Sequence, residues 1–423
     1  MSWNPVLDFF REVKATYIDL HGEKDLWYYQ DDSVSFDNCL SCWIWHIGRA
    51  GHKKRFLYKE IASKLFLNEY NGMLLVKYKD LDIDWESYDG FYKECRSVVI
   101  DIYKEELILT PFRKFRNLNE CEENSLENIQ KRIEKASCIE VTDKLDGSMV
   151  SARLYDMHVI MSGSRALNRD ESFRLKNYYD WIQNHKEYVY MFIDFPDYTF
   201  IFEGIFFNDI HIVRYDKDME GLHLIGMRRV SDGYELPYHE VVAVAEKYGV
   251  PHVKILDMTF EEAYQDSLAN TRLANEGEGY VIDIDGYKIK VKYLDYVTIH
   301  RAIGKLLSPN HIIDMVKNNK WDDFYSKIPI AYREEACTIY NNICKYVKYR
   351  SESTEKWFNK VIEEVGVDAD RKTVMIAIST MVPKTYRSFV RMKYLNQELD
   401  FLKGVKYYYI KDYVDFYETA IMF

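Results

Sequence analysis

Lys144-Leu145-Asp146-Gly147-Ser148 follows directly on the apolar-rich segment Ile139-Glu140-Val141. A lysine at a strand end, beside a glycine that lets a phosphate approach the backbone, can act as a nucleophile. Its amine must first lose a proton, so burial or a cationic neighbour should lower its pKa toward about 7–8. Alone, so short a pattern recurs by chance, and a lysine in a surface turn is its ordinary meaning. Two carboxylates shift that balance. Glu203 interrupts the apolar run Phe202-Glu203-Gly204-Ile205-Phe206-Phe207, and Glu278 heads Glu278-Gly279-Tyr280-Val281-Ile282. Further on, Lys288, Lys290 and Lys292 alternate with Ile289, Val291 and Tyr293. Period two places the three lysines on one face of a strand. A lone lysine stripe is more often a solvated edge. This one lies across a tight hairpin from the strand headed by Glu278, which suggests a shared pocket.

The elements that must position these groups are mostly short β-type runs between about Leu74 and Tyr293. Leu74 to Tyr78, Ser97 to Ile102, Glu106 to Leu109 and Cys138 to Val141 are rich in Val, Ile and Leu. Met149 to Leu154 and His158 to Met161 flank a turn at Tyr155-Asp156-Met157. Tyr198 to Phe207, His211 to Tyr215 and Leu222 to Met227 continue the series. Gly279 to Ile284 and Tyr287 to Tyr293 flank Asp285-Gly286, a two-residue hairpin signal. Helical stretches are expected around Ser125 to Ala136 and Tyr238 to Tyr248. After His300 the pattern becomes helical. Ser308-Pro309 is a helix start, and Ala336, Ile339, Ile343, Val347 and then Trp357, Val361, Val365 follow helical spacing before Gly366. The fold class is therefore α+β: antiparallel sheets with flanking helices, plus an all-helical C-terminal domain. The expected division is an N-terminal extension (1–70) packed on the core, a central domain (71–300) and a helical domain (301–423).

The chain of 423 residues has a hydrophobic fraction of 47% and a charged fraction of 30%, the balance of a folded soluble protein. Its net charge of -11 is unevenly spread: from Arg301 onward 20 Lys and Arg face 16 Asp and Glu, so the acidity lies before that point. A nucleic-acid contact would depend on local basic grooves, not on bulk charge. The 36 tyrosines suit surfaces that stack on bases, or reflect genome bias. Met-Ser-Trp-Asn-Pro has no basic n-region before an apolar core, so no secretory signal is expected, and no apolar run suggests a membrane span. Seven cysteines, an odd number, fit a reducing cytoplasm. Cys39 and Cys42, with His46 and His52, form a zinc-like set, but Trp43, Ile44, Trp45 and Ile47 read more as a buried element.

In order and spacing, these segments resemble the covalent nucleotidyltransferase superfamily of polynucleotide ligases and mRNA-capping enzymes. Motif I falls at 144–148, motif III near 162–165, the next acidic motif at 202–207, motif IV at 278–281 and motif V at 288–292. The closer resemblance is to the RNA ligase 1 family, the tRNA-repair ligases of T-even phages. Arg96-Ser97-Val98-Val99-Ile100-Asp101 is similar to that family's upstream arginine motif. Pro111-Phe112-Arg113-Lys114-Phe115-Arg116-Asn117-Leu118-Asn119-Glu120 is similar to its lysine–phenylalanine–asparagine segment, and Lys290 to His300 to its sequence after motif V. The resemblance covers about Arg96 to His300. Two departures stand out. Arg116 replaces a second aromatic, and Ser162-Gly163-Ser164-Arg165 lacks the basic residue before Gly-Ser, a charge that Arg165 would supply from a shifted position.

The resemblance implies an ATP-dependent RNA ligase. Lys144 would attack the α-phosphorus of ATP, pass AMP to an RNA 5′-phosphate, and let a 3′-hydroxyl displace it. Lys290 and Lys292 would hold the α-phosphate, and Arg96 and Lys114 the outer phosphates or the RNA phosphate. Asp146, Gly147 and Ser164 lie in nucleotide-contacting motifs, and Phe206 is the candidate for adenine stacking. Glu203 and Glu278 would position Mg²⁺ or Mn²⁺, since hard cations take oxygen ligands. The implied partners are RNA with 3′-OH and 5′-phosphate ends, such as nicked tRNA, and separate end-healing kinase or phosphatase enzymes. No P-loop G-x-x-x-x-G-K-[S/T] is present to supply healing within this chain. A monomer in the cytoplasm, the host's if phage-encoded, is expected. A DNA ligase or capping-type enzyme shares the core motifs, and a non-catalytic nucleotide- or RNA-binding protein keeping the fold is the alternative of a different class.

Overall fold

The computed structural model describes residues 2–23, 26, 30–31, 34–79, 83–209, 211–328 and 332–421. The chain divides into two compact units, residues 1–298 and 299–423.

The first unit is built on antiparallel strands. β1 (Gln30–Asp31) and β2 (Val34–Ser35) form a minimal pair. β3 (Leu65–Tyr70), β4 (Met73–Tyr78), β5 (Arg96–Asp101) and β6 (Glu106–Leu109) make a meander in sequence order. β7 (Ile139–Asp143), β8 (Ser148–Tyr155), β9 (His158–Ser162), β10 (Tyr198–Ile205), β11 (Gly221–Arg229), β12 (Gly279–Ile284) and β13 (Tyr287–Lys292) form two more sheets. Their orders are β11-β10-β8-β9 and β13-β12-β7. The chain passes from one sheet to the other at β7–β8, and that crossing carries Lys144 to Gly147. Two hairpins follow turn chemistry. Asp285 and Gly286 have φ of 49° and 86°, and Asp156 and Met157 have φ of 46° and 63°. These left-handed pairs match the twist of the flanking strands.

Each of the three larger sheets packs one face against helices. The helix Pro5–His21 starts at Asn4, whose side chain accepts from Val6 and Leu7 N–H, and Phe9, Phe10, Val13 and Tyr17 pack onto β4 and β5. The helix Cys39–Arg49 joins the same core. Cys39 and Cys42 are core residues of that helix, and His46 lies edge-on to Tyr17, His21 and Trp45. Among the described residues the zinc-like set does not gather as a ligand group.

The segment expected as a strand at 211–215 is not one. Ile212 and Val213 donate their N–H groups to the Asp146 carboxylate at 2.9 and 3.0 Å instead of to a neighbouring strand. A side chain has taken the place of a ladder.

The second unit is helical: Pro309–Lys317, Trp321–Lys327, Arg333–Val365, Arg371–Met381, Lys384–Tyr394 and Tyr407–Ile421. The two helical spacings read before Gly366 belong to one helix of 33 residues. No glycine or proline interrupts it, and it ends at Gly366 with φ of 84°. Ala336, Ile339, Ile343 and Tyr346 form its buried stripe, with Trp321 stacked on Tyr340 at 4.1 Å. No described helix is long and apolar enough to cross a membrane.

Candidate active site

Lys144 leaves the end of β7 with its N–H donating to Gly279 O at 2.8 Å, so motif I is stitched to the start of β12. Gly279 has φ of 135°, and a Cβ there would meet Val291 O at 2.2 Å, so only glycine allows the hairpin to close beneath the lysine. Gly147 is required for a similar reason. A Cβ would sit 2.5 Å from Gly204 O and 3.0 Å from Glu203 Cγ. The close approach is therefore to β10, and it delivers the Gly147 N–H to Glu203 Oε1 at 3.0 Å.

Above these strand ends lies a cavity of about 280 Å³. Lys144, Glu203, Arg96, Lys290, Phe112 and Phe115 are among its lining residues. The Lys144 Nζ is 2.6 Å from Glu278 Oε2, and Lys292 Nζ is 2.7 Å from Glu278 Oε1. Glu278 is almost fully buried, its side chain 4% exposed, so both oxygens are spent on lysines. The three lysines of β13 do share a face but not a state. Lys288 is paired with Glu235 at 2.8 Å and Asp283 at 2.9 Å, and Lys292 with Glu278. Between them, Lys290 packs over the Phe115 ring at 4.6 Å. Burial, then the charges of Arg96, Lys144, Lys114 and Lys292, push its pKa down to about 6.

One titration runs opposite to simple burial and one follows it. Burial opposes the charge on Lys144, but Glu278, Glu203 and Asp146 outweigh it and raise its pKa above 10.5. This corrects the expectation that Lys144 would be depressed in the resting protein: its nearest charged partner is an anion, not a cation. Glu203 is pushed up to about 7, by burial first and also by Glu278, against the opposing pull of Lys144.

Arg96 and Met149 also line a second cavity of about 920 Å³, which holds Ser164, Arg165, Lys77, Ser148 and Arg174. The Ser164 hydroxyl contacts Lys77 Nζ, and its carbonyl accepts from Ser97 Oγ at 2.8 Å. Arg165 packs over the Phe66 ring at 5.5 Å, so motif III faces this groove rather than the Lys144 cavity. Lys114 lines a third cavity of about 350 Å³ and rests over Trp85 at 4.8 Å.

Phe206 is not brought to the site. It lies three residues beyond Glu203, on the opposite side of β10, and is buried in the core against Tyr178 and Trp181 at 5.5 and 5.7 Å. Strand alternation sends Glu203 and Phe206 to different faces. The aromatic groups lining the cavity are instead Phe112, Phe115 and Tyr238.

The Asp146 carboxylate also turns away from the cavity. Besides Ile212 and Val213 N–H, it accepts from Tyr296 Oη at 2.9 Å and lies 3.6 Å from His211 Nδ1, while Tyr215 Oη accepts the Asp146 N–H at 2.7 Å. His211 Nε2 is 3.2 Å from Asp209, which Arg174 grips with two hydrogen bonds of 2.7 Å. Ser148 Oγ donates to the same Asp209 at 2.9 Å. Asp209, His211 and Arg174 escaped sequence reasoning because no spacing marks them.

Residues 94–296 match the family model described as RNA ligase. The match covers just under half of the chain. The matched segment contains Arg96, Lys144, Glu203 and Lys290 of the Lys144 cavity, together with Lys114, Glu278 and Lys292. Among solved structures, the chain is similar to Naegleria gruberi RNA ligase with PPi, at 19% identity and a TM-score of 0.34, over 41% of this chain and 55% of that one. It is also similar to an archaeal ATP-dependent RNA ligase, at 14% identity and a TM-score of 0.44, over 84% of this chain and 99% of that one. The chain thus spans little more than half the length of the Naegleria ligase. No curated protein sequence matches it.

Proposed function

We propose that the protein is an ATP-dependent RNA ligase whose nucleophile is Lys144. The observation that carries this reading is one juxtaposition inside the RNA ligase segment. The Lys144 Nζ sits at a cavity lined by Glu203 and Lys290, and is held by the buried Glu278, which also pairs with Lys292. The cavity, near the low end of the roughly 300–1,000 Å³ usual for ligand pockets, suits a nucleoside, with Phe112 and Phe115 as aromatic walls. The phosphates would pass by Arg96 and Lys290. Arg96 joins this cavity to the larger groove, where an RNA end would lie.

In the first step Lys144 Nζ bonds to the α-phosphorus, the bond to the β-phosphate oxygen breaks, and pyrophosphate leaves. The amine's proton goes to solvent. AMP then passes to an RNA 5′-phosphate, and a 3′-hydroxyl attacks that phosphate and expels AMP. Each is an in-line displacement, in which positioning and charge neutralisation supply most of the catalysis. Lys290, held near neutrality without ligand, gains charge beside a phosphate. The Lys144–Glu278 ion pair must loosen before the amine is free to attack.

The donor set fits a hard divalent cation. Glu203 and Glu278 offer carboxylate oxygens, and Glu278 would exchange the positive charge of one of its two lysines for that of the ion. When bound, Mg²⁺ or Mn²⁺ supplies that charge. Asp146 and Gly147 hold the motif I loop, and Ser164 with Lys114 borders the neighbouring grooves. The substrate class is RNA with 3′-OH and 5′-phosphate ends, with nicked tRNA as the specific candidate and end-healing left to separate enzymes. The protein acts as a monomer in the cytoplasm, and the helical unit contributes RNA recognition.

The test is incubation with α-labelled ATP and Mg²⁺, followed by denaturing electrophoresis. The expected result is a covalent label, absent with Lys144→Ala. An unlabelled, AMP-free wild-type protein would favour a nucleotide-binding protein without catalysis.

A further inference from the structure

We propose that Cys138, Glu140 and His239 form a binding site for a thiophilic divalent cation of the Zn²⁺ class, separate from the Glu203–Glu278 pair. One ligand atom from each residue lies within 4.8 Å of the other two. Cys138, the residue before β7, and Glu140, its second residue, bring their ligand atoms to the same side. His239 enters from the first turn of the helix Tyr238–Tyr248.

The donors are held in place by the fold. Cys138 N–H donates to Asp285 Oδ1 at 2.8 Å, and Asp285 N–H returns to Cys138 O at 3.0 Å, which fixes the backbone that carries the thiol. Glu140 is buried at 7% exposure and caps the helix, accepting from Tyr238 and His239 N–H at 2.9 Å each. Its Oε1 also lies 2.8 Å from His239 Nδ1, so imidazole and carboxylate already share a proton at the distance of adjacent ligands.

Chemistry selects the ion. A thiol, an imidazole and one carboxylate form the mixed sulfur, nitrogen and oxygen set that zinc takes, with bonds of about 2.3 Å to sulfur and about 2.0–2.1 Å to nitrogen. Magnesium prefers all-oxygen shells. On coordination the Cys138 S–H bond gives its proton to solvent, and the ion replaces the proton shared by His239 and Glu140. The site opens on a cavity of about 650 Å³ whose lining also includes Asp285, while the other nearby carboxylates Asp232, Glu235 and Asp283 are held by Arg229 and Lys288. Cys138 is exposed and the His239 side chain is 56% exposed, which leaves an entry path and a fourth position for water. Glu140 and Asp283 line the Lys144 cavity as well, so the ion would tie the base of β7 to the helix beside that cavity.

The test is titration of the full chain with Co²⁺, read by absorption. The expected result is one Co²⁺ per chain with a near-ultraviolet thiolate-to-cobalt charge-transfer band. The band should survive excess Mg²⁺ and vanish when Zn²⁺ displaces the cobalt. Cys138→Ser should abolish it, and His239→Ala should weaken Co²⁺ binding by at least about tenfold. Both changes replace exposed side chains, and circular-dichroism melting confirms that each variant is folded. Absence of the band, or its persistence in Cys138→Ser, would overturn the proposal. Cobalt bound only at Glu203 and Glu278 would show no thiolate band, and that result also overturns it.

Discussion

Glu203 and Asp209 lie six residues apart, and both carboxylates sit in low-dielectric surroundings, yet their charges meet opposite fates. Burial raises both. For Asp209, hydrogen bonds from His211 and Arg174 and their charges reverse the effect and hold the carboxyl well below its ordinary range. For Glu203, the attraction of Lys144 and the Gly147 N–H do not compensate, and the group stays near 7. The Asp209 region is electrostatically finished without a ligand. The Glu203 region, with Lys290 beside it held near 6, is not. An unneutralised acid and a suppressed base across one small cavity mark the place where a charged ligand is expected. A fully paired network marks the scaffold that aims the nucleophile loop.

The comparison breaks most visibly at Glu278, the anion shared by Lys144 and Lys292. Glu278→Gln should lower the rate of label transfer from ATP to the protein by about 10²–10³-fold, by analogy with the loss of other preorganised charges. The residual activity should shift its pH dependence to lower pH, because Lys144 loses the main source of its raised pKa. A rate within a fewfold of wild type would remove Glu278 from the site.

His211 tests the finished side. Burial opposes its charge, but Asp146 and Asp209 raise its pKa from 6.5 to about 9. A raised folded-state pKa contributes stability that is complete below the unfolded value and is lost as pH rises through the folded one. His211→Ala should therefore cost about 2–3 kcal/mol near pH 6, and the difference from wild type should shrink between pH 6.5 and 9. Urea unfolding across that pH range measures it. A difference independent of pH would mean that the imidazole acts by packing alone.

The two regions also differ in how far the sequence revealed them. The β13 lysines were legible because a strand's period is two, and Glu278 was legible because it heads a paired strand. The Asp285-Gly286 turn fixed their register. The Asp209–His211–Arg174 network was not legible: Arg174 comes from a helix 35 positions before Asp209, and no local pattern forecasts that contact. The apolar look of 211–215 suggested a strand, while the actual partner of the Ile212 and Val213 N–H groups was the Asp146 side chain, 66 and 67 residues earlier. Phe206 was misplaced because the nearness of an aromatic to an acid in sequence says nothing about shared facing. The protonation of Lys144 depended on a carboxylate 134 positions away, where the sequence supplied position but not distance.

The smallest effect is the sharpest discriminator. Glu203 has a folded-state pKa raised from 4.5 to about 7, so the folded protein prefers its proton. Its contribution to stability is present below pH 4.5 and disappears as pH rises through 7, leaving an uncompensated charge above that. Glu203→Gln keeps an oxygen to accept the Gly147 N–H and removes the charge. The variant should be more stable than wild type above pH 7, by roughly 1 kcal/mol, while label transfer from ATP falls. At pH 5 the two proteins should melt alike. Saturating Mg²⁺ with nucleotide should stabilise wild type and not the variant, because only wild type retains the charge to be neutralised. If Glu203→Gln is instead destabilised at pH 8, Glu203 is a structural anion like Asp209, and the contrast between the two regions fails.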